Sequence, residues 1–128
     1  MGKKRDKSYP TLSIVHDGQL TEAEALNSLK LAAQSATESL SEALAQCQTQ
    51  EERNKVQADR DTTVLAYLNS LNKSLLNTSS QFEKIAEDLA TEAENVREKS
   101  KSLQNVAQAI GLFTDLVRLA ASLALAFG

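Results

Sequence analysis

Three kinds of side chain in this sequence have the chemistry for catalysis or metal binding: one imidazole, His16, one thiol, Cys47, and the carboxylate run Glu83, Glu87, Asp88, Glu92 and Glu94. The carboxylates recur at helical spacing, which in a helical protein is how paired acids come to face a di-iron site, but that site also needs Glu-x-x-His motifs on neighbouring helices. None accompanies them, so they read as a charged, solvated face. A triad or a histidine-rich metal site cannot be built around His16 alone, which lies outside every helical pattern in the chain. Cys47 has no second cysteine with which to form a disulfide within the chain, and its position on an apolar seam suits a small core residue. No glycine-rich loop is present to cradle a phosphate, and Tyr9 and Tyr67 are too few for a base-stacking platform. The expectation is a non-enzymatic protein with no catalytic residue, no cofactor and no metal.

The elements that would position any site are helices. Hydrophobic residues make up 41% of 128 positions, enough for one domain with a modest core but not for two. Alanine, leucine, glutamine, glutamate, serine and lysine dominate, tryptophan is absent, and aromatic residues are scarce. That is the composition of long helices. The single proline is Pro10, and no glycine falls between Gly18 and Gly111, so the usual breakers are missing from most of the chain. The expected class is all-α: long helices forming an antiparallel helical hairpin or a three-helix coiled-coil-like bundle, with an extended N-terminal arm.

That arm is residues 1–20, the part without a helical period. Leu12, Ile14 and His16 alternate weakly with Ser13 and Val15, and Asp17-Gly18 is a turn signal, so the arm suits an extended or a flexible state. Its basic tip, Lys3, Lys4, Arg5 and Lys7, has the chemistry to touch phosphate or anionic lipid, and a solvated terminus explains it more simply. Elsewhere the two signs of charge are interspersed and the net charge is only -3, so a nucleic-acid partner is not expected. The basic start runs into Ser8, Tyr9 and Pro10 rather than an apolar stretch, which does not resemble a secretory signal. The expected location is the cytoplasm, with membrane association as the alternative.

Residues 21–128 carry the helical pattern. Thr21 and Glu24 stand in capping-box spacing and open a helix whose seam is Leu26, Leu29, Ala33, Ala36, Leu40, Ala43 and Cys47. Between residues 48 and 63 the seam turns polar. Thr49 and Glu52 repeat the capping spacing, which predicts a chain reversal near residues 48–52, with a continuous exposed helix as the competing arrangement. From Val64 a 3-4 seam runs through Leu68, Leu71, Leu75, Thr78, Phe82, Ile85, Leu89, Glu92, Val96 and Lys99 and on to Phe127. Asn77, Thr78, Ser79 and Ser80, with Ser80 and Glu83 in a third capping spacing, signal a break at residues 77–80 that the unbroken heptad phase opposes.

The most apolar stretch is residues 107–127, where only Asp115 and Arg118 are charged. Here Asp115, Arg118 and Ser122 belong to a narrow polar stripe, and the two charges, three residues apart, are placed to pair. The apolar face, Leu103, Val106, Ile110, Phe113, Leu116, Val117, Ala120, Leu123 and Phe127, is the expected surface of association, with a second copy of this chain or with a helical protein partner. The alternative is a membrane-active or membrane-anchored protein that inserts residues 107–127 as a pore or anchor. The length suits a span, and the two charges oppose a simple one.

Overall fold

The computed structural model describes residues 19–128. The basic tip, His16, Tyr9 and most of the arm expected at residues 1–20 lie outside the described residues. Within them the chain is all-α: α1 (Glu22–Glu38), α2 (Leu40–Gln46), α3 (Gln50–Leu71), α4 (Ser80–Lys99), a 3-10 turn (Ser100–Ser102) and α5 (Val106–Ala124). Leu20, which the sequence pattern groups with the arm, is buried in the core.

Both N-terminal capping boxes form. The Thr21 hydroxyl accepts from the Glu24 amide and the Glu24 carboxylate accepts from the Thr21 amide, and Thr49 and Glu52 repeat the exchange. Two amide donors that a helix start leaves without intrahelical partners are thereby satisfied at each end, which fixes where α1 and α3 begin. The third capping spacing is not used: the residue preceding α4 is Ser79, and its side chain makes no capping bond. Instead the Asn77 side-chain carbonyl accepts from the Ser79 amide at 3.0 Å.

The helices number more than a hairpin or a three-helix arrangement provides. Breaks fall at 47–49 and 72–79, close to the expected ones, and a further break at 100–105 divides the seam that the sequence carries unbroken to Phe127. Its cause is local. The Asn105 side chain accepts from the Gln108 amide and the Gln108 side chain accepts from the Gln104 amide, both at 2.8 Å, so a new helix start is built without glycine or proline. Between α1 and α2 the interruption is one residue, Ser39, which keeps its amide bonded to the Ser35 carbonyl at 2.9 Å. The two helices therefore form one bent leg.

Four legs pack around one core. The α1 leg lies against α3 and α4, and α5 lies against the same two, while α1 and α5 meet more lightly across the middle. The direction of α4 follows from its bonds to the first leg. Ser28 Oγ donates to the Ala86 carbonyl at 2.8 Å, Arg97 pairs with Glu38 at 3.2 Å, and Ser100 Oγ meets Ser39 Oγ at 2.9 Å. Early contacts early and late contacts late, so α1 and α4 run parallel; α3 and α5 both return, and the 72–79 connection crosses between opposite corners. A hydroxyl reaching a backbone carbonyl of the next helix demands a close approach, which the facing alanines Ala25, Ala32 and Ala36 of α1 and Ala86 and Ala93 of α4 permit.

The core is filled mainly from three helices. Leu29 comes from α1, Leu89 and Val96 from α4, and Phe113, Leu116 and Leu123 from α5. On α4 the inward positions are Ala86, Leu89, Ala93, Val96 and then Ser100, so the seam positions expected at Glu92 and Lys99 pass to their neighbours: Glu92 is half-buried and Lys99 exposed. A straight helix of 3.6 residues per turn drifts about 20° per heptad from a strict seven-residue repeat, so over successive heptads the buried line turns away from a fixed seam towards the neighbouring positions.

The end of the assembly where α1 begins is closed by the chain's last residues. Ser74 and Gly128 exchange two backbone bonds at 3.2 and 3.0 Å, and the Ala126 carbonyl accepts from the amides of Leu76 and Asn77 at 2.8 and 3.1 Å. The Glu22 carboxylate accepts from the Leu75 amide at 3.0 Å. Phe127 and Ala126 are buried beneath this pairing.

Candidate interaction surface

Of the nine apolar residues expected to form a surface of association, five lie inside the chain's own fold. Phe113, Leu116, Ala120, Leu123 and Phe127 are buried inside the chain's own core, and Leu103, Val106, Ile110 and Val117 are half-buried around it. The physical reason is that α5 has neighbours on two flanks and a third helix across the middle, so a broad apolar arc is satisfied within one chain. Of the polar stripe, Asp115 and Arg118 are exposed and stand 3.8 Å apart, as the spacing implies, while Ser122 is half-buried. Among the described residues α5 is the helix long and apolar enough to cross a membrane by length and composition.

The surface that remains open is on α3, where the pattern is inverted. Val56, Asp59, Thr63 and Ser70 face the core, with Ala66 and Tyr67 packed against its edge. At 100° per residue these positions centre on one side of the helix; Leu65 and Leu68, 52% and 45% exposed, lie on the side nearly opposite, and Leu71, 48% exposed, lies on the flank between. Val64 is half-buried beside them. The inversion has a volume argument behind it: large side chains from the other three helices occupy the interior, so α3 contributes small ones. Its buried polar atoms are satisfied. Lys55 pairs with Asp59 at 2.6 Å and reaches the Thr114 hydroxyl on α5 at 3.4 Å, and the Thr63 hydroxyl donates to the Asp59 carbonyl at 2.8 Å.

Two further large leucines are exposed beyond the end of α3. Leu76, 71% exposed, lies in the connection, and Leu125, 78% exposed, precedes the Ala126 carbonyl that accepts from the Leu76 amide. Five large apolar side chains thus stand open along α3 and at the end of the assembly where α1 begins. Single exposed leucines are ordinary, whereas a run of them on one surface marks a place of contact.

The groups of chemical interest are dispersed. Cys47 is buried at the turn between α2 and α3, where its thiol contacts the Ala43 carbonyl at 3.5 Å; burial and then the Glu52 carboxylate push its pKa up, against the opposing charge of Arg53. Lys84 and Asp88 pair on the surface of α4 at 3.1 Å and border a shallow depression with Ser80, Gln81 and Ile85. Among the described residues no group of three or more histidine, cysteine, aspartate or glutamate side chains is placed to hold a metal ion. The leucine stripe was legible in part, since Val64, Leu68 and Leu71 stand in the 3-4 seam; the seam told nothing of the side on which they would lie. No protein-family model, curated protein or solved structure matches this chain.

Proposed function

We propose that this protein acts without catalysis, by helix-to-helix association, and that its contact surface is the leucine face of α3 rather than the apolar face of α5. The observation that carries the reading is the inversion of α3, which buries Asp59, Thr63 and Ser70 while leaving Leu65, Leu68 and Leu71 in solvent. Val64, Leu68 and Leu71 keep 4-3 spacing, the pattern with which one helix seats knobs into another in coiled-coil-like packing. A second copy of this chain supplies a matching stripe, so a symmetric pair through α3 is the simplest assembly. The stripe is short against the roughly 800 Å² per partner of a stable interface, and the pair is accordingly weak and concentration-dependent.

Light scattering of the full chain across a concentration series tests it. The mass should rise with concentration, and Leu68→Asp should hold it at the monomer value with unchanged circular dichroism. A mass that is monomeric throughout, or an assembly indifferent to Leu68→Asp, overturns self-association through this face.

A second reading, membrane insertion of residues 107–127 from a cytoplasmic protein, draws on the length and apolarity of α5. It requires the core to open, because Phe113, Leu116 and Leu123 face inward. Flotation of the full chain with anionic liposomes, followed by a loss of protease protection in Phe113→Asp, is the result it predicts; a chain that stays in the dense fraction rejects it.

A further inference from the structure

We infer that the second copy packs antiparallel along α3, and that Asp61 is the residue that sets this orientation. The inference rests on the proposed self-association and adds to it the direction of the partner. The outward side of α3 carries one continuous 3-4 seam, Asn54, Gln57, Asp61, Val64, Leu68 and Leu71. At 100° per residue these six fall within about 100° of one another, centred away from the side that holds Val56, Asp59, Thr63 and Ser70. The seam changes character at Val64. From Thr62 to Asn72 the helix holds no charged residue, whereas residues 51–61 are rich in both signs. The Asn54 side chain accepts from the Gln50 amide group at 2.8 Å, and the exposed Asp61 carboxylate pairs with Arg60 at 2.8 Å. This half of the seam faces solvent and is satisfied within its own helix.

The two possible alignments treat that half differently. A parallel, in-register pair sets each Asp61 against its symmetry mate on the seam, followed by Gln57 and Asn54. The carboxylates lose water there, and the Arg60 side chains they keep do not remove the cost of burying them. An antiparallel pair with its two-fold axis at Leu68 overlaps only the uncharged half. Leu68 meets Leu68, and Leu65 comes level with the partner's Leu71. Asp61 comes level with the partner's residues 74–75, beyond the end of α3 and close to the partner's Lys73, which is exposed. Each end of the overlap thus sets a carboxylate near an ammonium, while the polar halves of the two α3 helices point away from each other into solvent. A single polar residue on an apolar seam is a known means by which paired helices fix their alignment.

The test is pulsed dipolar spectroscopy on the full chain with Cys47→Ala, at a concentration where light scattering gives more than the monomer mass, with circular dichroism checking the fold of each variant. A nitroxide on Asn69→Cys lies beside the axis in either alignment and reports pairing. One on Glu51→Cys reports direction: antiparallel copies separate the two labels by about 50 Å at 1.5 Å per residue, and parallel copies hold them within about 20 Å. The expected result is a short Asn69→Cys distance that Leu68→Asp abolishes, a long Glu51→Cys distance, and a second, short Glu51→Cys distance once Asp61→Leu is added. A short Glu51→Cys distance in the chain that keeps Asp61 overturns the antiparallel pair and leaves self-association through α3 standing. A Glu51→Cys distance that Asp61→Leu does not change overturns the role of Asp61. The lack of a short Asn69→Cys distance, or one that survives Leu68→Asp, overturns self-association through this face and the orientation with it.

Discussion

Substitution of Phe113 separates a core residue from an interface residue, the two roles that the C-terminal seam allows. Phe113 is 2% exposed and belongs to the buried core that also holds Leu29, Leu116 and Leu123. Removing a buried phenyl ring leaves a cavity that the surrounding helices close only in part, so Phe113→Ala should cost about 3–5 kcal/mol. Against a total stability of roughly 5–15 kcal/mol for a domain, this is a large fraction. At about 4 °C per kcal/mol for a chain of this size, the midpoint should fall by about 12–20 °C. Val117, half-buried on the same helix, gives the control: Val117→Ala removes less buried surface and should cost about 1 kcal/mol. Thermal and urea unfolding followed by circular dichroism, each at two protein concentrations, reads the effect. The concentration is what decides. A ring buried within one chain gives a loss independent of concentration, whereas a ring buried between chains gives a midpoint that moves with it. A Phe113→Ala protein that keeps its midpoint and changes its mass in solution would refute the assignment of this residue to the core.

The capping residues divide cleanly. Thr21→Ala and Thr49→Ala should each cost about 1 kcal/mol in urea unfolding, because each removes the hydroxyl that accepts from an otherwise unbonded amide, while Ser79→Ala, whose hydroxyl makes no such bond, should change stability by less than about 0.5 kcal/mol. Cys47 should react slowly with a disulfide reagent at pH 8 and at the ordinary thiol rate once unfolded, since burial and Glu52 raise its pKa in the folded chain. The sign for stability follows: the unfolded thiol ionises first as pH climbs, so this contribution is complete below the ordinary thiol pKa and is lost as pH rises through the raised value, and Cys47→Ala should flatten that alkaline slope.

Local signals were the most legible part of the chain. Thr21 with Glu24 and Thr49 with Glu52 mark two helix starts because the bonds they make span three residues and need nothing distant. The start of α5 carries a similar signal, Asn105 with Gln108, which the unbroken seam across residues 99–106 obscured. The third spacing, Ser80 with Glu83, misled for the complementary reason: the Asn77 side chain took up the Ser79 amide and moved the helix start by one residue. The seam from Val64 to Leu71 was visible as a helical pattern and belongs to a helix, yet it lies outside the core.

That last point separates what sequence determined from what tertiary structure decided. Composition and the scarcity of breakers make this chain all-α, and hydrogen bonds within a few residues set where α1 and α3 begin; these are properties of a segment and its solvent. Which face of each helix is buried is a property of the whole. Both sides of α3 carry apolar residues, and the choice falls to the volume left by Leu29, Leu89, Phe113, Leu116 and Leu123, all at distant positions in the chain. Those side chains fill the interior at the density of a packed solid, so the fourth helix fits only by turning Thr63 and Ser70 inward and its leucines out.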